Sequence, residues 1–343
     1  MIFRQLFEPV SCTYTYLLAS RRGGEALIID PVLERVDRYL QLIRDLDLKL
    51  VKAVDTHLHA DHITGLGALR DQTQCITVMG EQSGVDVVSM RVGDGDRLTL
   101  EGLALDVMYT PGHTDDSYSF RWEDRVFTGD TLLIRGTGRT DFQNGDSRAA
   151  WESLQRLMRL PEETLVFPGH DYKGDTVSTI AEERRCNPRL QVADAEAYAA
   201  LMAGLHLANP KMMDVAVPAN MRQGLQQEAI RARGWALEAA EAMALGEARA
   251  ITLVDLREAD ERRRHGSIAG AVHVPYPELK DSIGPGGLLH ELAVSTDRRL
   301  VFYCAFGERS AMAVQAAQDQ GLAAACHVHG GIAAWKKAGG AVV

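Results

Sequence analysis

No stretch of this sequence is apolar for long enough to cross a membrane, since its hydrophobic runs stop well short of the ~18 residues a span requires. The opening MIFRQLFEPVSC lacks the apolar centre of a secretion signal, so no signal peptide is expected. Clustered basic residues are also missing: the formal net charge is −10, and the short run Arg262, Arg263, Arg264 reads as a solvated helix face. Phosphate binding needs grouped Lys and Arg, so neither a nucleic acid nor a membrane is expected as a partner. Cysteine is sparse and unpatterned. Cys12, Cys75, Cys186, Cys304 and Cys326 are odd in number and show no C-x-x-C spacing, which excludes a disulfide framework and a zinc ribbon. Internal repeats and low-complexity tracts are lacking too. A reducing compartment fits, and a cytoplasmic location is expected.

What is present is an ordinary globular composition, 46% hydrophobic and 24% charged, over 343 residues, a length that suggests two cores. Short β-type runs at 26–30, 50–54, 76–79, 103–107, 126–127 and 164–167 alternate with turns, and helical patterns intervene, notably at 148–160. An Ala-, Glu- and Gln-rich stretch follows Met221. A second set of runs, at 251–255, 271–274 and 300–303, then leads into a helix over 309–320. The expected class is α/β, with a first domain over 1–228, a helical linker over 229–249 and a second, doubly wound domain with a parallel sheet over 250–343.

His57, His59, Asp61 and His62 directly follow the run that ends at Val54, so they sit on the turn at a strand's carboxyl end. Three imidazoles and a carboxylate within six residues are hard to explain as core packing, because each would need its own buried partner. Three later turns, Pro111-Gly112-His113-Thr114, Gly129-Asp130 and Pro168-Gly169-His170-Asp171, supply more ligand types in the same setting. Together these residues point to a metal.

The order HxHxDH, PGHT, GD, PGHD resembles the metallo-β-lactamase superfamily, which implies an αββα sandwich with a metal at one sheet edge. The segments FRQLFEPVSCTYTYLL (3–18), THLHADHITG (56–65), RGTGRTDFQ (135–143), GHDYKGDTVSTIAEER (169–184), NPRL (187–190) and VPANM (217–221) are more specific. They resemble the persulfide dioxygenase family over nearly all of 1–222. That resemblance implies one Fe(II) per chain, with His57, His113 and Asp130 as its ligands, a facial triad that leaves positions for substrate sulfur, O2 and water. His59, Asp61, His62 and His170 are then groups that orient those ligands or move protons. Arg139, Tyr172 and Lys173 are implied to lie on the substrate side, a guanidinium being a natural fork for the carboxylates of glutathione.

Cys304-Ala305-Phe306-Gly307-Glu308-Arg309 links the run 300–303 to the helix that follows. A thiol there faces backbone N–H groups and a positive helix end, so a lowered pKa is expected. With LVDLREADERRRHGSIAGAVHVPY (253–276) upstream and HVHGGIAAWKKAG (327–339) downstream, the loop resembles the rhodanese family. The resemblance implies that Cys304 carries sulfane sulfur as a persulfide, with Asp255 and Arg257 structural. Phe306 and Glu308 depart from the basic loops of thiosulfate-preferring relatives.

The expected function is oxidation of glutathione persulfide by O2 and water to sulfite and glutathione at a mononuclear iron, together with sulfane transfer that uses thiosulfate or glutathione persulfide. Seven ligand-type residues also leave open a dinuclear zinc thioester hydrolase of the glyoxalase II type, with the second domain as a sulfur-sensing or docking module. A homodimer is one of the expected states of association.

Overall fold

Thr13–Ala19 is buried along its whole length, as befits a strand flanked on both faces, and it seeds the first of three sheets. The computed structural model describes all residues except 86–87, 206–211, 222–226 and 297. It divides into two compact units, Met1–Val85 with Met90–Met221, and Asp86–Ser89 with Arg222–Val343.

In the first unit, β1 (Ile2–Glu8), β2 (Thr13–Ala19), β3 (Glu25–Ile29), β4 (Lys49–Val54), β5 (Ile76–Gly80) and β6 (Met90–Val92) form one sheet in sequence order. The first three strands are antiparallel and β3 to β6 are parallel. A second sheet has the order β12 (Ser178–Thr179), β11 (Leu165–Pro168), β10 (Arg125–Gly129), β9 (Tyr118–Trp122), β8 (Leu103–Tyr109), β7 (Arg97–Leu100). Leu18, Leu27, Ile29 and Val78 of the first sheet and Leu105, Val107, Phe120 and Phe127 of the second belong to one core. Each such side chain contributes about 1.5–3 kcal/mol through burial, so the two sheets are held face to face as a sandwich.

Helices close the outer faces: α1 (Val36–Asp45) and α2 (Leu66–Thr73) accompany the first sheet. On the second, α3 (Ser147–Leu157) and α5 (Ala195–Ala203), with α4 (Ile180–Cys186) between them in the chain, share a core with Met108, Val126 and Val166. Asp146 caps α3 by accepting from the N–H groups of Arg148 and Ala149. The unit ends with α6 (Met213–Asn220).

The loops leaving β4, β8, β10 and β11 carry the expected ligands, and backbone hydrogen bonds stitch these strand ends together. Tyr118 N–H donates to Thr56 O at 2.8 Å, Gly169 N–H to Gly129 O at 2.7 Å, and Tyr14 N–H to Gly169 O at 2.8 Å. Ligand-bearing turns from both sheets therefore meet at one edge of the sandwich.

The second unit holds a parallel sheet in the order β13 (Ala236–Leu237), β17 (Cys326–Val328), β16 (Arg299–Tyr303), β14 (Ile251–Asp255), β15 (Val272–His273). Its helices are α7 (Gln227–Ala232), α8 (Ala239–Glu247), α9 (Ala259–His265), α10 (Leu279–Ile283), α11 (Leu288–Ser295), α12 (Glu308–Asp319) and α13 (Gly331–Lys337). One core joins Val254, Leu300 and Phe302 to Leu279, Leu289 and Val314; another joins Leu253, Val301 and Val328 to Ala242, Ile332 and Trp335. Helices thus cover both faces of the sheet.

The stretch 229–249, read from the sequence as a helical linker, does not stand apart from this sheet. Its β13 pairs with β17, and Ala242 of α8 enters the core. A two-residue strand between helices leaves no alternation in the sequence to read. No helix of the described residues is long and apolar enough to cross a membrane.

Candidate metal centre and cysteine loop

His57 enters the site from the turn after β4, and its ring is set by hydrogen-bond accounting. Asp30, at the carboxyl end of β3, accepts from Thr56 N–H at 2.7 Å and Thr56 Oγ1 at 3.0 Å. With its hydrogen directed to Asp30, Thr56 Oγ1 accepts from His57 Nδ1 at 2.9 Å. The Nε2 lone pair of His57 is therefore left for a metal. Burial, reinforced by His59, holds His57 well below the usual imidazole range, which keeps it neutral as a ligand must be.

His113 is set in the same way. Its Nδ1 lies 2.7 Å from the carbonyl oxygen of Arg139, and a carbonyl only accepts, so Nδ1 carries the hydrogen and Nε2 is free to ligate. Close approach of this segment requires glycine: a Cβ on Gly138 would come within 2.3 Å of Asp130 O and 2.8 Å of the His113 ring. The second glycine of RGTGRTDFQ thus has a steric reason.

Asp130 completes the set, its Oδ2 3.6 Å from His113 Nε2. One donor atom from each of His57, His113 and Asp130 lies within 4.8 Å of the others. His170 presents Nδ1 to Asp130 at 2.6 Å and Nε2 to Asp61 at 2.8 Å. Burial works against charge on His170, but the two carboxylates outweigh it and raise the imidazole well above its usual range. Burial likewise works against charge on Asp130, and His170, His113 and His57 overcome it to hold the carboxyl below the usual range.

The remaining histidines surround this centre. Asp61 bonds His62 Nδ1 at 3.0 Å, and the His59 ring lies 4.2 Å from that of His57. Burial opposes protonation of His59, yet the Asp30 carboxylate, 3.2 Å from its Nε2, raises it to about 9. His59 Nδ1 and His62 Nε2 are buried without a partner. Asn220 secures the whole turn: its amide donates to the carbonyls of His59 and His62 at 2.9 Å each and accepts from Thr64 N–H at 3.0 Å. That buried contact accounts for VPANM.

A cavity of about 280 Å³ opens beside the centre, lined by Asp61, His113, Asp130, Arg139, Tyr172 and Lys173 among others. Arg139 forms a two-pronged pair with Asp141 at 2.6 and 2.7 Å and lies over the Phe142 ring. A substrate carboxylate would therefore meet a guanidinium already paired with Asp141. Tyr172 stacks parallel to His170 with ring centroids 6.1 Å apart and is 69% exposed. Lys173 sits beside it, its backbone N–H bonded to Asp171.

In the second unit, Cys304 directly follows β16 and is fully buried. Gly307 N–H donates to its sulfur at 3.1 Å, and Gly307 takes a left-handed φ of 107° to make the turn. Arg309 is also buried and pairs doubly with Glu261 at 2.6 and 2.8 Å, while its charge still acts to lower the Cys304 thiol. Glu308 Oε2 is 4.0 Å from the sulfur. Burial and this carboxylate raise the thiol above its ordinary range, which overturns the lowered value expected from loop position alone. The expectation counted backbone dipoles and omitted desolvation. Asp255 bonds Arg257 at 2.9 and 2.7 Å and the Tyr303 hydroxyl at 2.8 Å, a buried scaffold under the loop.

Sequence reading missed Asp30, Thr56 and Asn220 around the candidate metal centre, and Ser310 against Cys304 with His327 against Ser310. Asp30 had a signal, an acidic residue closing an apolar run. His327 had one too, an imidazole between the apolar Cys326 and Val328 of β17.

Comparison with known proteins adds lineage to this geometry. Residues 10–170 match the metallo-beta-lactamase superfamily and residues 238–338 the rhodanese-like domain. Mouse "persulfide dioxygenase ETHE1, mitochondrial" is 48% identical over 230 residues, 66% of this chain and 90% of that protein. The crystal structure of ETHE1 from Myxococcus xanthus is 53% identical and covers 64% of this chain and 98% of that one, with a TM-score of 0.63. A hydroxyacylglutathione hydrolase of Haemophilus ducreyi is 33% identical over 53% of this chain and 76% of that protein.

Proposed function

Because this chain belongs to the persulfide dioxygenase family and carries a rhodanese-like domain later in its sequence, we propose that it oxidises glutathione persulfide and handles the resulting sulfur in one polypeptide. The balanced reaction takes glutathione persulfide, O2 and water to glutathione, sulfite and two protons. The observation that carries the reading is the convergence of His57, His113 and Asp130 beside a cavity. Two neutral imidazoles and one carboxylate are the donor set suited to non-haem Fe(II), so the residues present fit that metal. When bound, the iron supplies the redox chemistry that lets O2 react with a sulfur.

The chain's own groups do the rest. Thr56 with Asp30, and the Arg139 carbonyl, fix which nitrogen of His57 and His113 faces the metal. His170 keeps Asp130 ionised and holds a proton at Nε2 against Asp61. Arg139, Tyr172 and Lys173 receive the glutathione portion at the cavity mouth. In the second unit the Cys304 sulfur attacks the outer sulfur of glutathione persulfide or thiosulfate. An S–S bond forms on Cys304, the donor's S–S bond breaks with its electron pair, and glutathione or sulfite leaves. Cysteines kept as thiols suit a reducing compartment such as the cytoplasm.

A second reading rests on His59 Nδ1 and His62 Nε2, both buried without partners and of a type that could hold a second metal, as a thioester hydrolase would need. Anaerobic metal analysis joined to O2 uptake on glutathione persulfide decides between them. One iron per chain with stoichiometric O2 consumption is expected. Two zinc ions per chain with no O2 consumption would replace the dioxygenase by a hydrolase.

A further inference from the structure

Burial raises the Cys304 thiol, and charge acts on it in both directions: the Glu308 carboxylate, 4.0 Å from the sulfur, raises it, and Arg309, itself paired with Glu261, lowers it. A sulfur anion, whether thiolate or persulfide, therefore also draws on hydrogen-bond donors. Gly307 N–H is one. Behind it, Ser310 Oγ lies 3.8 Å from the Cys304 sulfur, 3.0 Å from Gly307 O and 3.2 Å from His327 Nδ1.

Ser310 has a single hydroxyl hydrogen and several neighbours that can take it. If His327 Nδ1 were the acceptor, that hydrogen would be drawn away from the sulfur. If Nδ1 carries a hydrogen and donates to Ser310 Oγ, the serine hydrogen is released toward Gly307 O or toward sulfur. His327 is fully buried, and burial together with His329 lowers it to about 4. It is therefore neutral near pH 7 with a single ring hydrogen: on Nδ1 that hydrogen meets Ser310 Oγ at 3.2 Å, whereas on Nε2 it would be buried with no acceptor, so Nδ1 is the donor. Its Nε2 has no partner, a cost that an apolar residue at this strand position would not incur. The Nδ1 contact to Ser310 is what the imidazole offers in return.

We propose that Ser310 and His327 form a neutral hydrogen-bond chain that stabilises anionic sulfur on Cys304, with Ser310 donating to the sulfur and His327 acting as the positioning residue that frees the serine hydrogen to do so. The chain rests on the reading of Cys304 as the sulfur carrier. When the thiol loses its proton, or when a sulfane sulfur is added, the hydroxyl turns from Gly307 O to the sulfur. No electron or co-reactant is required.

The test uses the full-length protein and two readouts: the pH profile of sulfane transfer from glutathione persulfide to sulfite, and iodoacetamide labelling of Cys304 followed by peptide mass across the same pH range. Ser310→Ala should slow both roughly tenfold near neutral pH and move their midpoints about one pH unit higher, the effect of losing one hydrogen bond to a charged atom. Ser310→Thr, which keeps the hydroxyl, should stay within about threefold of the parent. His327→Leu should show a smaller loss of the same sign, and His327→Asn, whose amide places a donor near Nδ1, should restore it. The double variant Ser310→Ala/His327→Leu should lose no more than Ser310→Ala alone, because His327 acts only through the serine.

Unchanged midpoints in Ser310→Ala, or additive losses in the double variant, would overturn the chain. If His327→Leu fails to fold, Ser310→Ala against Ser310→Thr still decides whether the hydroxyl serves the sulfur, and His327→Asn whether a donor suffices. Sulfane transfer that survives in Cys304→Ser would instead overturn the reading of Cys304, independently of the labelling profile.

Discussion

His170 grips Asp130 from behind: its Nδ1 lies 2.6 Å from Oδ1, while the other carboxylate oxygen, Oδ2, turns toward His113 Nε2 at 3.6 Å. One oxygen is committed to the protein and the other to the metal position. Against the cost of burial the two groups ionise each other, His170 drawing the Asp130 carboxyl below its usual range and Asp130 raising the imidazole above its own.

Asp130→Ala removes the anionic donor of the triad. Iron retention should fall by at least ~10–100-fold and O2 uptake on glutathione persulfide should vanish. Sulfane transfer at Cys304 should persist, since that residue belongs to the other compact unit. Metal analysis beside both assays checks this, and iron retained with turnover would contradict the ligand assignment.

Thr56→Val keeps the shape of the residue and removes the oxygen between Asp30 and His57. His57 then loses the partner that fixes its tautomer, and metal affinity should drop by ~10–100-fold with the fold intact. A chelator competition series reads the affinity, and circular dichroism confirms the fold.

Asn220→Ala leaves two carbonyls and one N–H of the histidine turn without their partner. A loss of roughly 2–4 kcal/mol in the first unit's stability is expected, together with weaker metal retention, although Asn220 lies far in sequence from every ligand. Urea unfolding of the metal-free protein separates the two effects, and an unchanged midpoint would show that the turn holds itself.

Glu261→Gln isolates a buried guanidinium. Burial works against charge on Glu261, but Arg309 prevails and lowers its carboxyl. Its stabilisation is therefore present above the ordinary carboxylate value of about 4.3 and is lost as pH falls through the depressed one. The variant should be about 3–5 kcal/mol less stable at neutral pH and lose part of the parent's acid dependence. Urea unfolding of the second unit at several pH values measures both.

Glu308→Gln removes the carboxylate 4.0 Å from sulfur. Since burial and then Glu308 raise the Cys304 thiol, the variant's thiolate should form at lower pH and thiosulfate should be used several-fold better, the like charge being gone. Transfer kinetics with thiosulfate against pH are the check, and identical profiles would mean that this carboxylate does not reach the sulfur.

The ligand-bearing turns were legible in the sequence because each interrupts a short apolar strand with residues that have no reason to be buried. The class of both units followed from the same alternation. Less visible were contacts between distant segments: Asp30 supports His57 through Thr56, and Asn220 reaches the turn at 59–62 from the other end of the unit. Local pattern carries no sign of a partner more than 150 positions away. The raised Cys304 thiol escaped for another reason. Desolvation depends on how deeply the loop is packed, and C-x4-R gives its length but not its depth.

β13 bears on how this second unit could be moved between proteins. The N–H groups of His327 and His329 donate to Trp235 O, just before β13, and to Leu237 O within it, at 3.0 and 2.9 Å, yet the region matched to the rhodanese-like domain begins only at 238. A graft cut at that boundary would carry the cysteine loop intact and leave β17 as a bare strand edge, open to pairing with another chain. The transplantable module therefore begins no later than Trp235, and a shorter insert would be expected to self-associate through the strand that bears His327.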